Sequence, residues 1–123
     1  MSEKQQSYKD LVVWQKSIAL VKVVYQLTRS FPADEKFGLV AQMRRAALSV
    51  PSSLAEGHAR NTTGESIQFI SRAEGSLAER ETQPVLTVEL AFCLSAEAQP
   101  LHGLIEVMQK TAQALRRAVA SRP

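Results

Sequence analysis

Two stretches of mixed small and polar residues decide the fold of this chain: residues 42–57, QMRRAALSVPSSLAEG, and residues 70–83, ISRAEGSLAERETQ. The apolar residues in both stretches recur at intervals of three and four, which is the spacing of one face of an α-helix. Arg, Ser and Glu side chains follow the same spacing beside that face. The two stretches therefore predict two long helices that pack against each other through small and polar side chains.

The remainder of the chain continues the helical pattern and shows no strand alternation of useful length. A chain of 123 residues forms one domain that buries roughly two-thirds of its unfolded surface. Four helices are expected in it, over residues 8–30, 34–56, 62–97 and 100–120. Because the connections between them are short, the sequence predicts an all-α fold, an up-down-up-down four-helix bundle.

Capping residues set the expected ends of these helices. Asp34 is an N-cap type of residue for the second helix, and Gly57 is a typical C-terminal stop. Thr62 and Glu65 fit the capping box at the start of the third helix. Pro100 suits the first turn of the fourth, where its missing N–H costs nothing.

Two prolines fall inside predicted helices, Pro51 in the second and Pro84 in the third. An internal proline removes one backbone hydrogen bond and crowds the preceding turn, at a cost of about 3 kcal/mol. Each segment therefore either kinks or splits into two helices. We favour kinked, continuous helices, because serine hydroxyls beside Pro51 can satisfy the freed backbone groups.

The first helix carries two apolar seams on neighbouring faces. One is expected to face the core and consists of Leu11, Trp14, Ile18, Val21, Tyr25 and Thr28. The other consists of Val13, Ser17, Leu20, Val24, Leu27 and Phe31. Either a wide apolar stripe packs between two neighbouring helices, or the second seam meets another subunit. In the second case the oligomer interface is formed by Val13, Leu20, Val24, Leu27 and Phe31.

Polar residues of the second and third helices share the faces that are expected to meet. This structural polar layer consists of Arg45, Ser49, Ser53, Glu56, Ser76 and Glu79. If the two helices are antiparallel about a loop near residues 60–61, Arg45 lies level with Glu79 and an ion pair between them is expected. Such a layer fixes the register of the two helices.

Composition limits the cellular compartment and the kind of partner that can be expected. The chain has 15 basic and 12 acidic residues, a net charge of +3, and a single cysteine, Cys93. One cysteine excludes an internal disulfide framework, and no apolar run approaches the about 20 residues of a membrane span. A cytoplasmic protein with no membrane partner is expected, and the mild positive charge favours an anionic partner.

Several motifs resemble those of one family, the four-helix bundle proteins of intervening sequences in bacterial 23S ribosomal RNA genes. The matching stretches are Trp14-Gln15-Lys16, Phe31-Pro32, residues 42–57 and residues 73–83. The resemblance spans about residues 11–115. It implies a left-handed bundle that assembles into a ring, a homopentamer. The family is similar to the accessory variability protein of diversity-generating retroelements, a pentameric barrel that binds nucleic acid and a reverse transcriptase.

The chain departs from the family pattern at two positions. Ser53 stands where the family usually has Asn, and Pro84 stands where it usually has Leu. The first departure removes an amide from the polar layer, and the second predicts a local bend in the third helix. The resemblance carries over no catalytic residues.

Reaction centres are not evident in the sequence. The only histidines, His58 and His102, lack the Glu-x-x-His spacing of a di-iron bundle, so no metal or other cofactor is expected. No nucleophile elbow, P-loop or dinucleotide fingerprint occurs. We therefore expect a protein that is not an enzyme.

Two functions remain. The first is binding of structured RNA or DNA by basic surface residues, for which the candidate phosphate contacts are Arg60, Arg72, Arg116, Arg117 and Arg122. Exposed aromatic residues for base stacking are not expected, because Trp14 and Tyr25 belong to the core seam. The alternative is a protein-interaction scaffold for a partner enzyme such as a reverse transcriptase, with the outer face of the fourth helix as its contact surface.

Overall fold

A computed structural model describes residues 8–122 of the chain. Within that range the chain forms five α-helices and two short 3-10 helices, and no β-strand. The α-helices are α1 (Val12–Thr28), α2 (Leu39–Ala59), α3 (Thr63–Arg80), α4 (Thr82–Glu89) and α5 (Ser95–Ala120). The 3-10 helices, Tyr8–Asp10 and Ala33–Glu35, precede α1 and α2.

Four of these helices form the bundle. α2 packs against α1 and α3, and α5 packs against α3 and α1, so that the four long helices surround one core. The short helix α4 lies between α3 and α5 and contacts both. The predicted all-α, four-helix architecture is confirmed.

The core seam of α1 is the one that the sequence assigned to a subunit interface. The buried residues of α1 are Val13, Ser17, Leu20, Val24 and Thr28. Phe31, just after the helix, is also buried, and Leu27 packs against the core cluster. The sequence assignment of Val13, Leu20, Val24, Leu27 and Phe31 to an oligomer interface is therefore wrong, because these side chains are occupied within one chain.

The seam that was expected to face the core is instead only half-buried along most of its length. Leu11, Trp14, Ile18, Val21 and Tyr25 lie at the edge of the core, and only Thr28 of that seam is buried. Which of two neighbouring seams points inward depends on how α1 is rotated against α2 and α5, which is a tertiary property.

Hydroxyl groups at buried positions of α1 bond to their own helix. Ser17 donates to the carbonyl oxygen of Trp14, and Thr28 donates to that of Val24 at 2.8 Å. A serine or threonine that bonds to the preceding turn can be buried without an unsatisfied polar atom. Ser17 is therefore compatible with a core position despite its polarity.

Helix α2 continues through Pro51 without interruption, as favoured from the sequence. Pro51 is buried against the core, and Ser49 donates to the carbonyl oxygen of Ala46 at 2.6 Å, close to the turn that the proline disturbs. The favourable packing of this segment offsets the cost of the missing backbone hydrogen bond.

At Pro84 the outcome is the opposite, and the expected continuous helix over residues 62–97 is wrong. α3 ends at Arg80, and α4 begins at Thr82. Pro84 has no N–H to donate to the carbonyl of Arg80, and its ring crowds that carbonyl, so the ladder breaks at this point. Pro84 then occupies the first turn of α4, where a proline is tolerated.

A second break separates α4 from α5. Ala91 has φ = 62°, the left-handed conformation, and is the only described residue other than glycine with a positive φ. The N–H of Ala91 donates to the carbonyl of Val88 and the N–H of Phe92 to that of Thr87, both at 2.9 Å. This pair of bonds is a Schellman motif, which ends α4.

Two helices begin at residues other than those predicted from the sequence. Asp34 lies in a 3-10 helix, and α2 begins only at Leu39, whose N–H donates to the Glu35 carboxylate at 3.2 Å. Helix α5 begins at Ser95, so Pro100 lies in its second turn rather than its first. By contrast, the Thr62 cap is present: its hydroxyl oxygen accepts from the N–H of Glu65 at 3.2 Å.

Gly57 does not end α2, which extends to Ala59. A Cβ atom at Gly57 would lie 3.1 Å from Cβ of Phe69 and 3.3 Å from the carbonyl oxygen of Ser66. Gly57 therefore serves the close approach of α3 to α2. None of the helices in the described range has both the length and the apolar character required to cross a membrane.

Candidate nucleic-acid interface

The residues of the predicted polar layer form one hydrogen bond between α2 and α3. Ser49 and Ser76, both half-buried, share a hydrogen bond of 3.0 Å between their hydroxyl groups. Ser53 is also half-buried, whereas Arg45 and Glu56 are exposed. Of the predicted polar layer, only Ser49 and Ser76 are hydrogen-bonded to each other across the two helices.

The expected ion pair between Arg45 and Glu79 is not formed. Glu79 is exposed and instead pairs with its neighbour Arg80, at 3.3 Å. Glu56 pairs with Arg60, one helical turn later. Glu56 and Glu79 thus form ion pairs with arginines close to them in sequence, because both carboxylates lie on the solvent side of the contact between α2 and α3.

Arg80 is the buried charge that the sequence reading missed. Only 3% of it is exposed, and Nη2 donates to the Glu79 carboxylate, while Nε and Nη1 are buried without a partner in the described structure. Burial lowers the pKa of Arg80, and the adjacent Glu79 acts in the opposite direction. Its position could have been found from spacing, since Arg80 follows Ala73 and Leu77 on the buried face of α3.

The clearest basic surface lies where α3 follows α2. The guanidinium carbons of Arg60 and Arg72 lie 4.8 Å and 4.6 Å from the centre of the Phe69 ring. Both arginines are exposed and Phe69 is half-buried. Each contact is a cation–π interaction, which keeps the planar guanidinium groups close to the ring. The structure thus brings together two of the five candidate phosphate contacts around an aromatic residue that the sequence reading did not select.

The other three candidate contacts lie on and just after α5 and differ from one another. Arg116 donates to Glu74 of α3, with Nε at 2.7 Å from Oε1, and is half-buried. Arg117 is exposed, with Nε donating to the carbonyl of Gln113 at 3.4 Å. Arg122 is exposed just beyond the end of α5 and lines the same cavity as His58 of α2. Arg116 is thus committed to an ion pair between helices, while Arg117 and Arg122 face solvent.

Aromatic exposure differs from the expectation. Phe37 is 89% exposed, and Nζ of Lys36 lies 5.6 Å from its ring centre. The expectation that no aromatic residue is exposed is therefore wrong. Trp14 and Tyr25, on which that expectation rested, are half-buried. Phe37 lies within the segment predicted as the second helix, but α2 begins only at Leu39, so Phe37 falls in the connection before it.

The described residues contain no group of three or more His, Cys, Asp or Glu side chains that could hold a metal ion. His58 is at the exposed end of α2, and His102 is half-buried on α5. Cys93 is half-buried, and its Sγ lies 3.5 Å from Oγ1 of Thr87. These three groups lie apart in the chain, on α2, on α5 and in the connection after α4.

Comparison with known proteins agrees with the motifs. No curated protein matches the chain at a significant level. The model of one family, described as 23S rRNA-intervening sequence protein, matches residues 9–114, which include α1 to α4 in full and most of α5. Since the match covers most of the sequence and the fold is the expected all-α bundle, the chain belongs to the 23S rRNA-intervening sequence protein family.

Proposed function

We propose that this protein is a non-enzymatic, homo-oligomeric helical bundle of the cytoplasm that binds structured RNA or DNA through basic residues on its surface. The observation that carries the proposal is the cluster of Arg60, Phe69 and Arg72, hereafter the arginine–phenylalanine cluster. Guanidinium groups are suited to phosphate because they are always charged and offer several donors in one plane. Two of them at one exposed site provide adjacent contacts for a phosphate backbone.

The cluster combines charge with planar surface. Phe69 holds the two guanidinium groups at its ring, and a guanidinium plane can in turn stack on an unpaired base. Arg60 is also paired with Glu56. A phosphate that binds Arg60 therefore competes with this carboxylate, so each single contact is weak and several contacts are required.

Self-association supplies those repeated contacts. Four exposed apolar side chains lie on α4 and the connection to α5: Val85, Leu86, Leu90 and Leu94. An apolar patch of this kind is typical of an interface. With this surface buried between subunits, a net charge of +3 per chain is repeated around the assembly, and effective valency rises. We propose a homopentameric ring, as the family resemblance implies.

Binding is tested by fluorescence anisotropy with a labelled RNA hairpin and a labelled DNA duplex across a salt series. The double variant Arg60→Gln/Arg72→Gln should bind more weakly and lower the log–log salt slope by about two, because each lost phosphate contact removes about 0.9. Lys22→Gln/Arg29→Gln removes the same charge from exposed positions in α1 and just after it, and is the matched control. Failure of the wild type to bind at low salt, or equal losses in both variants, would contradict the proposal.

The second candidate function is a protein-interaction scaffold for a partner enzyme such as a reverse transcriptase. The same exposed apolar patch favours it, together with Val107, which is exposed on the outer face of α5. Binding through an apolar surface is insensitive to salt, whereas phosphate binding weakens steeply. Multi-angle light scattering of the wild type and of Leu90→Ser/Leu94→Ser tells whether the patch joins identical subunits. Loss of assembly supports self-association, and an unchanged assembly favours the scaffold.

A further inference from the structure

The bundle has a cavity of about 510 Å³ at the end where α2 connects to α3. Its apolar walls come from three helices and include Leu54 of α2, Ile70 of α3, and Leu115 and Val119 of α5. Pockets for small molecules fall in the range of about 300–1,000 Å³ and are found between the helices of bundles. The size and place of this cavity therefore suit a small ligand.

The cavity lies beyond the packed core. Ile70 and Val119 are each only 3% exposed, yet neither belongs to the contiguous core cluster that contains Leu54. Gly57 also borders the space and contributes no side chain to fill it. Leu54, Ile70 and Val119 are already packed, so the apolar surface left for a guest to cover belongs to the half-buried Leu11 and Leu115.

The cavity lining includes one arginine side chain, that of Arg122. Arg122 is exposed and lines the cavity, and the described residues that line it include no carboxylate. The site therefore offers buried apolar walls together with an accessible guanidinium group. A ligand that complements both has an apolar chain and a terminal anionic group.

We propose that this cavity binds a small amphipathic carboxylate, with its aliphatic chain against Leu11 and Leu115 and its carboxylate on Arg122. The guanidinium of Arg122 donates to the two carboxylate oxygens, an arrangement in which arginine is specific as well as strong. The proposal does not rest on the arginine–phenylalanine cluster, because none of the lining residues belongs to it. Arg122 is the one residue that it shares with the candidate phosphate contacts.

Isothermal titration calorimetry with three probes tests the proposal on the full chain. Octanoate carries both features of the ligand, 1-octanol carries the chain alone, and inorganic phosphate carries only charge. Octanoate should bind about ten-fold more tightly than 1-octanol, because a charge-assisted hydrogen bond is added to the same apolar contact. Phosphate alone should give no measurable heat. Equal affinities for octanoate and 1-octanol, or no binding of octanoate, would overturn the assignment.

Variants locate the binding. Arg122→Gln should reduce the affinity for octanoate to that for 1-octanol and leave 1-octanol unchanged. Lys110→Gln, an exposed charge elsewhere on α5, is the control and should alter neither. An effect of Arg122→Gln no larger than that of the control would overturn the assignment of the carboxylate to Arg122.

Filling the space tests the apolar part. Leu115 is half-buried, so Leu115→Phe adds volume to the cavity wall with little disturbance of the core. This variant should weaken octanoate and 1-octanol alike, whereas Ala114→Leu, at an exposed position of the same helix, should not. Unchanged binding in a folded Leu115→Phe variant would place the ligand elsewhere. Because Arg122 is exposed, its variant remains a valid test even where a wall variant unfolds.

Discussion

The hydroxyl group of Ser66 on α3 donates a hydrogen bond of 2.8 Å to the carbonyl oxygen of Gly57 on α2. Both residues are buried, so this bond joins the two helices where their backbones come closest. The Gly57 carbonyl lies in the last turn of α2, where carbonyl groups lack the regular partner four residues later, and it also accepts from the N–H of Arg60 at 3.3 Å. The absence of a side chain at Gly57 makes the approach possible.

Gly57→Ala should therefore destabilise the protein. A Cβ atom would lie 3.1 Å from Cβ of Phe69 and 3.3 Å from the Ser66 carbonyl, so α3 would have to shift away. We expect the free energy of unfolding to fall by about 1–2 kcal/mol, which is typical of overpacking in a buried contact. Urea denaturation followed by circular dichroism measures the change.

Gly75→Ala is the control for this substitution. Gly75 lies within α3, and a Cβ atom there would have no neighbour within 4 Å. The variant should be more stable than the wild type by about 0.5–1 kcal/mol, because alanine is the better helix former. Stabilisation by both substitutions would show that the contact between Gly57 and Phe69 is not tight.

Arg80→Met should stabilise the fold. Two of the guanidinium nitrogens of Arg80 are buried without a partner, and replacing a poorly compensated buried charge by an apolar side chain of similar length commonly gains about 1–3 kcal/mol. The exposed Glu79 would lose its ion pair, which costs little in solvent. The thermal midpoint of the variant, measured by circular dichroism, should rise. A fall of several degrees would mean that Arg80 stabilises the junction of α3 and α4.

Ala91→Gly should also stabilise the fold, and for a different reason. The left-handed conformation of Ala91 costs about 1 kcal/mol more for alanine than for glycine. Glycine fits the Schellman motif without that cost, so the urea midpoint should increase. Ala78→Gly, at an exposed position of α3, should lower it by a similar amount. The prediction fails if both glycine variants lose stability.

Leu20→Glu with Val24→Glu should unfold the protein. Both leucine and valine side chains are fully buried in the chain's own core, and a carboxylate there has no partner. Loss of the helical circular dichroism signal is the expected result. A folded monomer would instead restore the interpretation of this seam as a subunit interface. Leu90→Glu/Leu94→Glu, at exposed positions, should keep the helical signal.

The sequence was sufficient for the architecture because it depends on periodicity and on local caps. Helical spacing gave the four long helices, and the Thr62 cap lies where its motif predicted. The choice between the two seams of α1 could not be made from spacing, because both satisfy it. The bond of buried Ser17 to the Trp14 carbonyl, which makes its seam compatible with the core, is visible only in three dimensions.

The errors after α3 have a different origin. A helix end is normally recognised by glycine in the left-handed position, but here that position is occupied by Ala91. Two prolines, both buried, also had different outcomes: α2 continues through Pro51, whereas a break precedes Pro84. Neither proline propensity nor burial of the proline itself distinguishes these outcomes.

For the candidate site, the sequence identified the charged residues but not the side chains that they contact. Arg60 and Arg72 were selected as isolated charges, and the Phe69 ring between them was not. Arg116 was selected with them, yet it pairs with Glu74, 42 positions earlier in the chain. Contacts between residues so far apart in sequence follow from the register of α3 against α5.

The ion pair of Glu56 with Arg60 has a consequence for discrimination among anions. A solitary inorganic anion gains little by displacing a carboxylate that is tethered one helical turn away. A polyanion that occupies several such arginines at once gains at every position for a single loss of translational freedom. Under the proposed function, we therefore expect Glu56 to favour anions whose charges are closely spaced over anions that carry a single strong charge.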